Sequence, residues 1–271
     1  MNTITALFSY SFITRAVIVG IMVSLCSSVL GVSLVLKRYS MIGDGLSHVS
    51  FGALAVAAAL NMAPLSVSVP IVIVAAFILL RISGSSNINA DAAIAIFSSA
   101  ALAIGIIITS LTTGINTDIC NYMFGSILAM NRSDVYISVI MSAVILVLYL
   151  LFYNRIFAIT FDESFSRATG VRVNIYNTAL AVLTAVTVVL GMRIMGALLI
   201  SSLIIFPSLS AMRLCRYFKG VIICSAVISI VCFFAGIVFS YILEIPVGAS
   251  VVTVNLAVFI LFSVIAKIKA S

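Results

Sequence analysis

The sequence predicts an all-α fold, a polytopic bundle of about eight or nine transmembrane helices. Three observations carry this. Hydrophobic residues make up 64% of the 271 and charged residues only 8%, more apolar surface than a soluble domain of this length can bury. Apolar runs of about 20 residues, the length that crosses a bilayer, recur along the whole chain. The stretches between them are short, so 1–271 reads as one membrane domain with no separate soluble unit.

The first span is predicted over 12–36 and ends at Lys37 and Arg38. No small-residue cleavage pattern follows it, so it reads as a retained span rather than a signal peptide. The second covers 43–61 and opens on "MIGDGLSHVSF", which puts Asp44 and the only histidine, His48, at its head. The third covers 65–82 and ends at Arg81; the fourth, 92–112, starts just after Asp91. The stretch 118–130 is too short and too polar to cross fully and reads as a re-entrant segment or hairpin arm. The fifth span covers 134–154. The longest polar loop follows at 155–173, and then spans at 174–192, 194–212, 220–241 and 249–267. Pro207, Gly191, Gly196 and the small-residue stretches "SFGALAVAAAL" and "SSAALAIGI" fit closely packed helices.

With the long loop inside, every Lys and Arg except Arg15, Arg132 and Arg193 falls on the cytoplasmic side. That asymmetry predicts the N-terminus outside and the C-terminus inside. The net charge of +7 is therefore read as topology. No Lys/Arg-rich block favours nucleic acid. Of the five cysteines none forms CxxC, and most sit in apolar runs as small hydrophobes. There is no GxxxxGK[ST], hence no phosphate-binding loop for ATP, and no HExxH.

Asp44 and His48 stand at i and i+4, on one helix face. A carboxylate oxygen and an imidazole nitrogen are both ligands for zinc, manganese or iron, and Ser47 and Ser50 add hydroxyls nearby. The other reading makes Asp44 a helix cap and His48 a satisfied polar residue at the interface. Two ligands do not complete a storage site, but an ion that is conducted must also leave. Asp91 is either a first-turn acid or a polar contribution to the same path. Asp118, Asp134 and Glu244 fall at outer span ends, as an acidic mouth or as ordinary solvated acids. In the long loop Phe161, Phe165 and Ala168 have helical spacing. Such a helix either docks into a partner's groove or lies on the membrane surface.

"LKRYSMIGDGLSHVSFGALAVAAAL" resembles the start of the second span in permease subunits of ABC-type zinc, manganese and iron importers, through Gly43, Asp44, Ser47 and His48. "DAAIAIFSSAALAIG" resembles that family's next acidic segment, with Asp91 in the acidic place; Ala92 and Ala95 replace its common Thr and Gly. "YMFGSILAMNRSDV" matches through Phe124, Gly125 and Asp134. "FDESFSRATGVRV" matches the cytoplasmic coupling segment through Asp162, Ala168 and Gly170. "MGALLISSLIIFPSLSAMRL" matches through Gly196, Pro207 and Arg213. The matches run in order over about 12–267.

The resemblance implies the membrane-spanning subunit of an ATP-driven importer of a divalent transition metal, multi-pass in the cytoplasmic membrane of a prokaryote. It implies no enzyme in this chain and no permanently bound cofactor, with ATP only on a partner. The partners implied are a second permease copy, two copies of an ATP-binding subunit, an extracytoplasmic solute-binding protein and membrane lipid. Asp44 and His48 become transient metal contacts, with Ser47 and Asp91 as a secondary polar path. Phe161, Asp162, Glu163, Phe165, Ala168 and Gly170 become the coupling surface for the ATPase. Because a coordinating imidazole must be neutral, uptake is expected to weaken in mild acid. Three rivals remain: a permease for chelated iron or cobalamin, a stand-alone secondary transporter or channel, and an intramembrane enzyme using the pair as acid and base.

Overall fold

The computed structural model describes residues 11–83, 90–112 and 132–270, and every regular element among them is helical. In chain order these are α1 (Ser11–Leu36), α2 (Ile42–Ala59), α3 (Pro64–Ser83), α4 (Ala90–Leu111), α5 (Arg132–Phe161), α6 (Glu163–Ala168), α7 (Val173–Met195), α8 (Ala197–Leu214), α9 (Phe218–Leu243) and α10 (Val247–Ala270). Nine of these, all but the short α6, are long and apolar enough to cross a membrane. The stretch 118–130 and Asp118 lie outside the described residues, as does the side chain of Asp134.

α1 is the centre of the bundle. Serine makes that position tolerable. Ser24, Ser27, Ser28 and Ser33 are fully buried, and small hydroxylated residues let backbones approach closely. Ser208 of α8 and Ser225 of α9 both donate to the Ser28 carbonyl at 3.3 Å. Ser229 of α9 donates to the Ser24 carbonyl at 3.0 Å, and the hydroxyls of Ser33 and Tyr149 of α5 meet at 2.9 Å. Lipid offers no replacement partner for such groups, so pairing them inside the bundle avoids a cost of several kcal/mol each. Gly31 sets the α1–α8 contact: a Cβ there would lie 2.1 Å from the Ile204 carbonyl oxygen.

The small-residue stretches of α2 and α4 do pack on each other. A Cβ on Gly45 would meet Ile94 at 2.6 Å, and one on Gly52 would meet the Ala101 carbonyl oxygen at 2.8 Å. α2 is largely enclosed, whereas α4 uses one face and leaves most of its apolar surface open.

Two boundaries differ from the sequence reading. The fifth span was expected to end near 154, but α5 continues to Phe161. Its length of about 45 Å exceeds the roughly 30 Å hydrocarbon layer, so Arg155 can stand in the last turns without breaking the helix. A polar residue there reads as a loop because sequence reports polarity, not backbone continuity. The α7–α8 junction is a single residue, Gly196, with φ of +87°, the region glycine enters freely. The fold-back is tight, since a Cβ on Gly191 would lie 2.3 Å from the tip of Ile200.

Candidate ion path and coupling surface

α2 starts at Ile42 with Met41 as its N-cap residue and no side-chain cap bond. Asp44 therefore does not cap the helix. Its Oδ2 lies 3.7 Å from His48 Nε2, and its Oδ1 accepts a hydrogen bond of 3.3 Å from Ser201 of α8. His48 is 21% exposed and Asp44 40%, so both are reachable by a hydrated ion and both are partly enclosed.

The head of α2 lies against other helices. Asp44 meets α8 at Ser201, one turn from the start of α8 and about 20 Å of helix rise from Leu214 at its far end. Gly43 packs against Ile204, the residue that also meets Gly31 of α1, more than a turn before α1 ends. The chain thus turns back into the bundle through residues 37–41 before α2 begins. Ionisable groups on the spans of a membrane bundle normally face a wet cavity or a ligand.

The other polar candidates are placed apart from the pair. Ser47 is fully buried and donates 2.7 Å to the Gly43 carbonyl of its own helix. Ser50 is buried with no hydrogen-bond partner among the described residues. Asp91 is exposed in the first turn of α4. Ser201 is the site residue that sequence reasoning missed. A serine pair inside the apolar run "LLISSLIIFP" was the available signal, but Ser201 and Ser202 are indistinguishable in it. Ser202 is buried with no hydrogen-bond partner among the described residues. No group of three or more His, Cys, Asp or Glu converges among the described residues, so one chain offers two metal ligands and a hydroxyl.

The second candidate surface is α6. Asp162 ends α5 and caps α6, its carboxylate accepting 2.8 Å from the Phe165 N–H. Only Ser166 of α6 is buried. Phe161, 60% exposed, and Phe165, 65% exposed, project outward with Ala168. Phe161 belongs to the end of α5, so the apolar stripe is built from two helices, not one. Gly170 follows at φ of +82° with open space around it.

Glu163 faces the other way. Its Oε1 accepts from Lys37 Nζ at 2.5 Å and from Asn177 Nδ2 at 3.0 Å, while Lys37 also donates 2.5 Å to Asn177 Oδ1. This triad ties α6 to the end of α1 and to α7. Burial pushes the Glu163 carboxyl up, but hydrogen bonds from Lys37 and Asn177 and the charges of Lys37 and Arg167 outweigh it and hold the group below its ordinary value. Burial and the nearby Glu163 charge push the Tyr39 phenol up.

Residues 9–266 match the family described as the ABC 3 transport family. The chain is 28% identical to the manganese transport system membrane protein MntC of Halalkalibacterium halodurans, over 94% of this chain and 87% of that one. It is also 28% identical to the high-affinity zinc uptake system membrane protein ZnuB of Haemophilus influenzae, over 93% and 97%. The solved structure of PsaBC from Streptococcus pneumoniae in complex with Fab superposes with a TM-score of 0.86 at 29% identity, covering 96% of this chain and 93% of that one. An ABC permease of this kind works with an ATPase and a solute-binding partner. Matched over nearly its whole length in sequence and in fold, the chain belongs to the ABC 3 transport family, as a multi-pass membrane subunit of a bacterial ABC transporter whose ATPase activity resides in a partner ABC protein.

Proposed function

We propose that the transported ion passes between α2 and α8, held briefly by Asp44 and His48, and that the drive enters through α6. The chain is the membrane subunit of an ABC importer for manganese, zinc or iron. The observation that carries the proposed path is Asp44 in contact with both His48 and Ser201 inside the bundle. A carboxylate and a neutral imidazole replace part of the ion's hydration. Water and a second permease copy supply the remaining ligands, and a shell this sparse lets the ion leave. No cofactor stays bound to this chain; the ion is cargo and ATP binds only the partner.

The distribution of Lys and Arg over the nine candidate spans among the described residues supports the N-terminus outside and the C-terminus inside. α6 then faces the cytoplasm. Its outward Phe161 and Phe165 suit an apolar groove on the ATP-binding subunit, of which two copies serve two permeases. A solute-binding protein delivers the ion on the opposite face. ATP binding and hydrolysis reorganise the pair of permeases between outward- and inward-open states.

The test is radiotracer metal uptake in proteoliposomes containing the permease, its ATPase and the binding protein, for wild type and His48→Ala. The expected result is ATP-dependent uptake of free manganese, zinc or iron that collapses in the variant while the complex still assembles. Uptake that survives in the variant removes His48 from the path. Transport of chelates but not of free metal would move the protein to the chelate permeases, and uptake without the ATPase would make it a secondary transporter.

A further inference from the structure

Beside α6 lies a cavity of about 410 Å³ lined by neither Asp44 and His48 nor Phe161 and Phe165, and sharing only Gly170 with the coupling surface that the resemblance implies. It is lined by Arg155 of α5, by Thr169, Gly170 and Arg172 of the α6–α7 connection, and by Ile175 and Tyr176 of the first turn of α7. Two arginines therefore line one cavity, and no acidic residue lines it. Neither arginine has a salt-bridge partner among the described residues. The neighbouring acid, Glu163, is committed to Lys37 and Asn177, and the neighbouring Arg167 donates to Asn174 at 3.5 Å. The cavity is thus a concentration of uncompensated positive charge.

Its height in the bundle identifies the ligand class. Arg155 is the first charged residue after Val135 on α5, about 30 Å of helix rise away, one hydrocarbon thickness. Arg172 immediately precedes the α7 span, which begins at Val173. Two helices thus bring their boundary arginines to the same polar–apolar border. Leu150 and Leu151, close in sequence to Arg155, are exposed, as is the lining residue Ile175. Tyr176 stands edge-on to Phe152, with ring centroids 5.6 Å apart, the placement aromatic residues take at the headgroup level. A basic pocket between helices at this height suits an anionic lipid headgroup.

We propose that this cavity is a headgroup site for an anionic phospholipid, with the phosphodiester between Arg155 and Arg172 and the acyl chains on the apolar flank of α5 and α7. Free phosphate satisfies the same arginines but gains nothing from Ile175 or Leu151. An acidic segment of the ATPase is the competing occupant.

The test titrates the assembled permease–ATPase complex with phosphatidylglycerol, phosphatidylcholine and inorganic phosphate and reads bound lipid by native mass spectrometry. Wild type, Arg155→Gln, Arg172→Gln, the double Gln variant and the double Lys variant are compared. Phosphatidylglycerol affinity should fall about fivefold for each single change and about thirtyfold for both, from roughly 1 kcal/mol per basic residue at a membrane surface. The double Lys variant should keep most of the affinity, which separates lost charge from lost folding. Phosphatidylcholine should bind weakly in all, and inorganic phosphate should not displace the lipid. Unchanged phosphatidylglycerol affinity in the double Gln variant overturns the proposal. So does displacement by inorganic phosphate at equal affinity, which would make it a free-anion site. Lipid that binds the isolated permease but is excluded from the assembled complex assigns the cavity to the ATPase, and overturns it too.

Discussion

Glu163 gives the most direct test of how α6 is anchored. Lys37 is 5% exposed and Glu163 38%, so the ammonium is buried and the carboxylate reaches water. Removing one partner of a buried ion pair costs about 3–5 kcal/mol because the other charge is stranded. Water at Glu163 and the surviving Lys37–Asn177 bond reduce that, to about 1–3 kcal/mol for Glu163→Ala. Lys37→Met strands only the wetter partner and should cost less, about 1 kcal/mol. The double variant removes both charges, so its loss should be smaller than the sum of the two, with a coupling of at least about 0.5 kcal/mol. Thermal unfolding of the purified transporter in one detergent measures all four corners of the cycle. A strictly additive cycle would refute the argument that the pair acts as a unit. The pH dependence follows from the same triad. The folded-state carboxyl sits below its ordinary 4.5, so its stabilisation is complete above that value and is lost as pH falls through the lowered one. Glu163→Ala should lack that acid limb. If the triad also transmits motion, the variant should hydrolyse more ATP per metal ion imported, read by parallel phosphate-release and uptake assays.

Gly31→Ala places a methyl 2.1 Å from a backbone oxygen on α8, which no rotamer change relieves, so it should cost about 3 kcal/mol or more. Gly170→Ala meets nothing within 4 Å and carries only the left-handed φ, about 1–2 kcal/mol; equal melting losses in the two would sink the distinction. Phe165→Asp alters an exposed side chain, so unfolding of the permease alone should stay within about 0.5 kcal/mol of wild type. Its co-purification with the ATPase should drop sharply, and full retention would remove α6 from the docking surface.

The crossings were legible because apolar runs of spanning length carry their own signal, and the i, i+4 spacing put Asp44 and His48 on one face without further help. The surroundings of that pair were not legible. A helix head reads as an open end until a neighbour shows otherwise, and here the neighbours are Ile204 and Ser201, more than 150 residues along the chain. The Lys37–Glu163–Asn177 triad escaped for the same reason: its members are 126 and 140 positions apart, and periodicity carries no information about such pairings. Phe161, Phe165 and Ala168 were read as one amphipathic helix. The structure keeps them on the outside but places Phe161 on α5, because Asp162 is the residue that stops one helix and caps the next.

That single-residue joint makes α5 a lever. Its load end carries Phe161 and meets α6 with only Asp162 between them, so there is no slack chain in which a push on α6 can be lost. Its fulcrum is on α1, where the Ser142 backbone carbonyl accepts from the Cys26 thiol at 3.4 Å and Tyr149 meets Ser33, both close to the middle of the helix. A tilt of about 5° about that fulcrum moves each end of a roughly 45 Å rod by about 2 Å. That displacement is comparable to the distance between a metal ion and its ligand, so a small rotation at the α5–α6 joint is enough to shift α5 against α1 and α7 by the length of a coordination bond.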